Sequence, residues 1–116
     1  MSAPQIESYR FGHMVVDGEE HTRDLIVLPD RVIPNWWREQ GHRLSPKDLE
    51  TVFAAQLEVL IVGTGAHGLM KIPRETRHAT REAGIELRIA ETTKAWRLYN
   101  DLREKRKIAG AFHLTC

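Results

Sequence analysis

The stretch Leu60-Ile61-Val62-Gly63-Thr64-Gly65-Ala66-His67-Gly68, LIVGTGAHG, decides how the chain is read. It continues a short apolar run from Glu58 to Val62 with no polar alternation. A run of that kind and length predicts a strand buried on both faces, as in a parallel sheet. Gly63 to Gly68 then spell G-x-G-x-x-G, the letters of a dinucleotide-binding fingerprint. That fingerprint requires the glycine loop to open directly into a helix, so that a pyrophosphate meets the helix N-terminus. Here Leu69-Met70-Lys71-Ile72-Pro73 intervenes, and the helix is expected to begin at Pro73. An acid is also required about 20 residues on, which Glu91 meets loosely. A second nucleotide-binding half is needed as well, yet one helix and one strand are all that come after Glu91. A full dinucleotide site does not fit in this chain. What survives is Val62-Gly63-Thr64-Gly65, read as a strand-ending bend whose glycines permit unusual backbone angles.

Working outward towards the C-terminus, Pro73 to Ala83 reads as a helix stopped by Gly84. Its inner face would be the small residues Thr76, Ala79, Thr80 and Ala83. Ile85 to Ala90 is a strand, so Glu58 to Ala90 forms a parallel, right-handed βαβ unit. Thr92 or Thr93 caps a third helix with Ala95, Leu98, Tyr99 and Leu102 on its core face. Lys107 to Leu114 is apolar on both faces and is expected to lie inside the sheet.

Towards the N-terminus, Ser45-Pro46-Lys47-Asp48 is a helix start that puts Leu49, Val52 and Phe53 on one face. Before it come strands joined by turns. Ser8 to Phe11 and His13 to Val16 flank Gly12, and Asp17-Gly18 is a turn signal. Arg23 to Leu28 is a strand closed by Pro29-Asp30. Arg31 to Trp37 reads as a fourth short strand, with Pro34 forcing an edge or a bulge. The expected fold is a single α/β domain over residues 1–116. It has an N-terminal antiparallel β-meander followed by βαβαβ-type units that form a mixed sheet with helices packed on it.

Bulk properties narrow the function. A length of 116 residues sets one domain with one modest core. The 17 basic and 16 acidic side chains are interspersed, leaving a net charge of +1 and no basic stripe. That argues against nucleic acid as a partner. The run Arg103-Glu104-Lys105-Arg106-Lys107 instead complements the dipole at a helix C-terminus. The one cysteine, Cys116, permits no disulfide within the chain and fits a reducing compartment. The opening MSAPQIESYRFG has neither an apolar core nor an Arg-rich amphipathic pattern, so no targeting segment is expected. Apolar runs fall well short of the roughly 20 residues of a membrane span. The expected location is the cytoplasm.

Two regions stand out as candidate sites. Parallel strands place the loops at their carboxyl ends side by side, so Gly63, Thr64 and Gly65 would adjoin Thr92 and Thr93. Backbone N–H groups and hydroxyls there suit a small anion or polar group; the plain alternative is helix capping by Thr92 or Thr93. Asn100 lies well away from the Ala95, Leu98, Leu102 stripe and joins this candidate pocket. The second region is Trp36-Trp37-Arg38, of the residue types enriched in binding hot spots. If it is a strand, at most one of the two tryptophans points inward, leaving the other as a candidate interaction surface. The pair His113-x-x-Cys116 has poor metal geometry on a strand, and too few further ligands accompany it for a structural zinc. The remaining histidines (His13, His21, His42, His67, His78) are scattered. No metal, no cofactor and no catalytic residue is assigned.

Four landmarks, in order, resemble a known family. They are FGxMxVDG (Phe11, Gly12, Met14, Val16, Asp17, Gly18), VLIVGTG (Val59 to Gly65), AxxxYN (Ala95, Tyr99, Asn100) and FHLTC (Phe112 to Cys116). Together they resemble the adipogenesis-associated Mth-domain family, nearly end to end. The closing FHLTC is most similar to its cytosolic branch. A mitochondrial NADH dehydrogenase (complex I) assembly factor is a more distant relative. The resemblance implies a single-domain, three-layer α/β fold with a mixed sheet. It implies a family with no established enzymatic activity or cofactor, whose known relatives act in assembly or regulation. Two readings stand. One is a non-catalytic interaction or accessory domain, acting as a homo-oligomer or with another protein partner, using Trp36, Trp37 and Arg38. The other is a small-ligand binder or enzyme with a pocket at Gly63-Thr64-Gly65 and Thr92-Thr93.

Overall fold

The computed structural model describes residues 3–116. Its frame is a five-stranded mixed sheet in the order β5-β4-β8-β6-β7. These strands are β4 (Leu25–Leu28), β5 (Arg31–Ile33), β6 (Val59–Thr64), β7 (Glu86–Ala90) and β8 (Ile108–His113). The opening stretch β1 (Ile6–Arg10), β2 (His13–Val16) and β3 (Glu19–His21) forms an antiparallel meander as a sheet of its own; the expected meander runs instead through Arg23 to Leu28 and Arg31 to Trp37, whose strands here belong to the five-stranded sheet. A 3-10 turn (Pro46–Leu49) leads into α1 (Glu50–Phe53), and α2 (Arg74–Glu82) and α3 (Thr92–Leu102) are the longer helices.

The apolar run of β6 is the heart of this arrangement. β6 is parallel to β7 on one side and to β8 on the other, and all its residues are buried. Alternate side chains of a strand point to opposite faces. Leu60 and Val62 enter one core with Trp36, Leu44, Leu49, Val52 and Met70. Val59 and Ile61 enter the other with Ile6, Met14, Ala95, Tyr99 and Phe112. The sheet is therefore the middle of three layers, with α1 and α2 on one face and α3 with the meander on the other. From β6 the chain steps outward to β7 through α2, then returns past β6 to β8 through α3. Reversing direction while switching face gives both crossovers the same hand, as the twist of parallel strands demands.

Several boundaries differ from the sequence reading, each for a physical reason. β5 stops at Ile33 rather than reaching Trp37. Pro34 has no N–H for a ladder, and Asn35 adopts φ +53° and turns the chain away. β3, with the sequence Glu-Glu-His, has no apolar signal and forms because it pairs with β2. On α2, Thr76 and Thr80 are buried, whereas Ala79 is half-buried and Ala83 exposed, so the small inner face is narrower than expected. Gly63 is not a bend: it pairs with Ala90 and Phe112 inside the sheet. The turn comes at Gly65, where φ is +105°. Among the described residues no helix is long and apolar enough to cross a membrane.

Candidate functional site

Gly63, Thr64 and Gly65 do lie beside Thr92, as neighbouring parallel strands require. The groups expected to face a ligand are engaged within the chain. The Gly65 N–H donates to Thr92 Oγ1 at 2.9 Å, and that hydroxyl donates to the His113 carbonyl at 2.6 Å. Thr64 Oγ1 donates to the Ala90 carbonyl at 3.2 Å. Beyond the turn, Ala66 N–H donates to the Thr115 carbonyl, and His67 and Leu69 N–H donate to that of Cys116. Space is filled as well. A Cβ on Gly63 would stand 2.8 Å from Thr92 Oγ1, and one on Gly65 would stand 2.3 Å from the Cys116 backbone. Thr92 is thus no helix cap: α3 starts from Glu91, and the Thr92 hydroxyl bridges the ends of β6 and β8. Thr93 is exposed. Asn100 meets neither loop; it holds β1, donating to the Ile6 carbonyl at 2.6 Å and accepting the Ile6 N–H at 3.0 Å.

The segment after β5 builds a different kind of place. Trp36 is buried against the first core. Its backbone N–H donates to the Asp24 carbonyl at 2.8 Å and its Nε1–H to the Asp48 carbonyl at 3.0 Å. Trp37, the next residue, is 84% exposed. Arg38 turns back in, its side chain only 4% exposed. Its guanidinium lies over the Trp36 ring, 4.6 Å from the centroid, in cation–π contact. The opposite orientations of Trp36 and Trp37 therefore come from a pinned loop, not from strand alternation.

Arg38 ends in a buried ionic cluster that joins three distant parts of the chain. Its Nη2 donates to Asp24 Oδ2 at 2.8 Å and to the Gly41 carbonyl at 2.8 Å. Asp24 Oδ2 also receives His113 Nδ1 at 2.7 Å, and Oδ1 receives the Leu114 N–H at 2.8 Å. An ionised carboxylate only accepts, so the shared proton sits on Nδ1. The 3.2 Å approach of Arg38 Nη2 to His113 Nδ1 is then two donors gathered round one acceptor. Burial alone would raise the Asp24 carboxyl. The hydrogen bonds from His113, the Leu114 N–H and Arg38 outweigh it and hold the group below the ordinary carboxylate range. Three buried atoms have no hydrogen-bond partner here: Arg38 Nε, Arg38 Nη1 and His113 Nε2.

An Asp–His pair of this form orients the imidazole as in a general-base system. His113 Nε2 is sealed from solvent, so no substrate proton reaches it in this conformation. Among the described residues no three metal-ligating side chains gather. What is open is a groove of about 450 Å³ lined by Thr22, Arg23, Asp24, Trp37, Arg38 and Thr115, among others. A second groove of about 440 Å³ lies against the same Asn35, Trp36, Trp37 and Glu39 and reaches Ile33, Lys47 and Thr51. Sequence reading flagged Trp36, Trp37 and Arg38 but missed Asp24. An acid placed just ahead of the apolar run Leu25–Leu28 was the available signal, and its partner His113 is 89 positions away.

These layers and this cluster define a class: a small three-layer α/β domain carrying an aromatic groove over a buried arginine. The chain belongs to the family described as protein of unknown function (DUF498/DUF598), whose model matches residues 6–113. Solved structures share the fold. A conserved hypothetical protein from Pyrococcus horikoshii is 28% identical over 97% of this chain and 99% of its own, with a TM-score of 0.83. A Rhodopseudomonas palustris protein is 32% identical over 97% and 87%, with a TM-score of 0.73. A Bordetella pertussis protein described as a Mth938-like domain is 19% identical over 96% and 85%, with a TM-score of 0.67, a likeness of fold alone.

Proposed function

We propose that this chain is a non-catalytic interaction domain, of an assembly or regulatory kind, whose partner surface is centred on Trp37. The observation that carries this reading is the 84% exposure of Trp37 between two residues that are buried and pinned. Tryptophan is among the residue types most enriched at the centre of binding hot spots, where a partner buries its ring. Held on a rigid base, it loses little further entropy on docking. The two grooves beside it give a partner somewhere to enter. The resemblance to the adipogenesis-associated branch, with its assembly and regulatory relatives, agrees with this reading. So does the engagement within the chain of the hydrogen-bonding groups at Gly65, Thr64 and Thr92. The single cysteine supports a cytoplasmic setting.

A photo-crosslinking residue at position 37, compared with the same residue at exposed position 93, tests the proposal in the native cell. Adducts confined to position 37 are expected, whether to another protein or to a second copy. Equal yields at both positions would defeat the reading.

A further inference from the structure

We infer that the free edge of β7 pairs with β7 of a second copy of this chain, antiparallel about a twofold axis through Leu87. This goes beyond the interaction reading above, because Trp37 follows β5 at the opposite edge of the sheet, and either can fail without the other. β5 is three residues long and Pro34 closes it, so it offers little to a further strand. β7 carries no proline and no bulge, and no strand lies beyond it in the sheet. The Glu86 N–H donates towards β6, to the Glu58 carbonyl at 2.9 Å. Backbone groups along a strand alternate between its two edges. Those of Leu87 and Ile89 therefore point outward, and neither N–H has a partner among the described residues. An open groove of about 390 Å³ runs along this edge beside Ile85, Glu86 and Leu87. Arg77 and Arg81 of α2 form its far wall, exposed and long enough to turn towards water.

A twofold interface must be complementary to itself, and this edge is. Ile85-Glu86-Leu87-Arg88-Ile89 reads the same in both directions, except that the two charges change places. Glu86 and Arg88 stand exposed on one face of the strand, and Leu87 and Ile89 are half-buried on the other. Antiparallel pairing centred on Leu87 sets Glu86 opposite Arg88 of the other copy and Ile85 opposite Ile89. Each Leu87 N–H then donates to the other Leu87 carbonyl, and each Ile89 N–H to the other Ile85 carbonyl. The Ile85 N–H is not needed, and it is already spent on the Thr80 carbonyl at 3.1 Å. Within one copy Arg88 Nε donates to Glu86 Oε2 at 2.6 Å, so the joined edges carry charges of alternating sign. Hydrogen bonding alone would also allow pairing centred on Arg88, but that sets like charges opposite one another. Charges on an edge strand keep unlike strands away; here they also select one register with a second copy.

The test is analytical ultracentrifugation of the full chain over a wide range of concentration, with charges exchanged at the two exposed positions. The native chain is expected to associate reversibly to a dimer. Glu86→Arg and Arg88→Glu should each weaken that dimer at least about tenfold, because by symmetry each turns two opposite-charge pairs into like-charge pairs. The double variant Glu86→Arg/Arg88→Glu should restore it. Mixing the two single variants should give a heterodimer, since each then meets its opposite charge. Hydrogen exchange of the native chain supplies a readout that needs no variant. The Leu87 and Ile89 amides should gain protection as concentration rises, while the Arg88 amide, which faces β6, should not. A chain that stays monomeric throughout would overturn the inference. So would a dimer that both single variants leave intact, one that the double variant does not restore, or one in which the Leu87 amide stays unprotected.

Discussion

Thr92 Oγ1 stands between Gly65 and His113, accepting the N–H of one at 2.9 Å and donating to the carbonyl of the other at 2.6 Å. Both backbone groups sit where parallel strands end, beyond the reach of the ladder. With Thr92 fully buried, no water replaces the hydroxyl. Thr92→Val keeps the volume and removes the bridge, leaving two buried polar groups without partners. A loss of about 2–4 kcal/mol is expected, at about 1–3 kcal/mol per orphaned group with some relaxation. Thr92→Ser should recover most of it, and Thr93→Ala, at an exposed position, should change little. Urea denaturation of the three variants measures this.

The glycines at the end of β6 should separate by cause. Gly65→Ala combines φ +105° with a Cβ 2.3 Å from the Cys116 backbone, and neither conflict relaxes cheaply. It should unfold the chain or cost more than the about 1–3 kcal/mol of ordinary overpacking. Gly63→Ala has no φ penalty but meets Thr92 Oγ1 at 2.8 Å and Phe112 Cδ1 at 2.9 Å, so a cost within that range is expected. Gly41→Ala meets nothing within 4 Å and should be neutral within experimental error. Thermal melts of the three variants give the order.

How much was legible in the sequence depends on where each feature has its cause. β6 and β8 announce themselves because burial on both faces requires an unbroken apolar run. α3 does so because its stripe Ala95, Leu98, Tyr99, Leu102 needs only helical spacing. β3 was invisible: Glu19 and Glu20 carry no strand signal, and the strand exists only through its pairing with β2. The candidate pocket was legible as a juxtaposition and not as a volume. Parallel pairing puts Gly65 beside Thr92, but no local pattern says that Thr115 and Cys116 fold back over the same loop. The Asp24–Arg38–His113 cluster was hidden for the same reason, since its members come from three segments.

Asn100 offers a sharper test of a role that the helical wheel left open. Its amide reads the backbone of Ile6 with one donor and one acceptor, and so fastens β1 to α3. Asn100→Asp is nearly isosteric yet replaces the donor by a second acceptor facing the Ile6 carbonyl. It should therefore destabilise at neutral pH as much as Asn100→Ala or more, by about 1–3 kcal/mol. Hydrogen exchange should show the Ile6 amide losing protection in Asn100→Ala, which removes its acceptor, while amides of β6 and β8 fall only with the global stability. Unchanged protection at Ile6 would mean that β1 is held by its apolar contacts alone.

The Asp24 cluster predicts how the chain responds to acid. The folded carboxyl is held below the value it takes in the unfolded chain, about 3.9. A depressed carboxylate contributes stability that is fully present above the unfolded value. That contribution is lost as pH falls below it, through the folded one. Asp24→Asn should remove the acid-sensitive part and leave Arg38 buried without its counter-charge. At pH 7 the variant should be less stable by about 3–5 kcal/mol, as when one partner of a buried pair is removed. Below pH about 4 the gap should begin to close, and it should vanish only below the folded value, where protonation strips the wild type of the same interaction. Urea midpoints at pH 7 and pH 3 measure this, and a gap of equal size at both would show that Asp24 acts there by shape and not by charge.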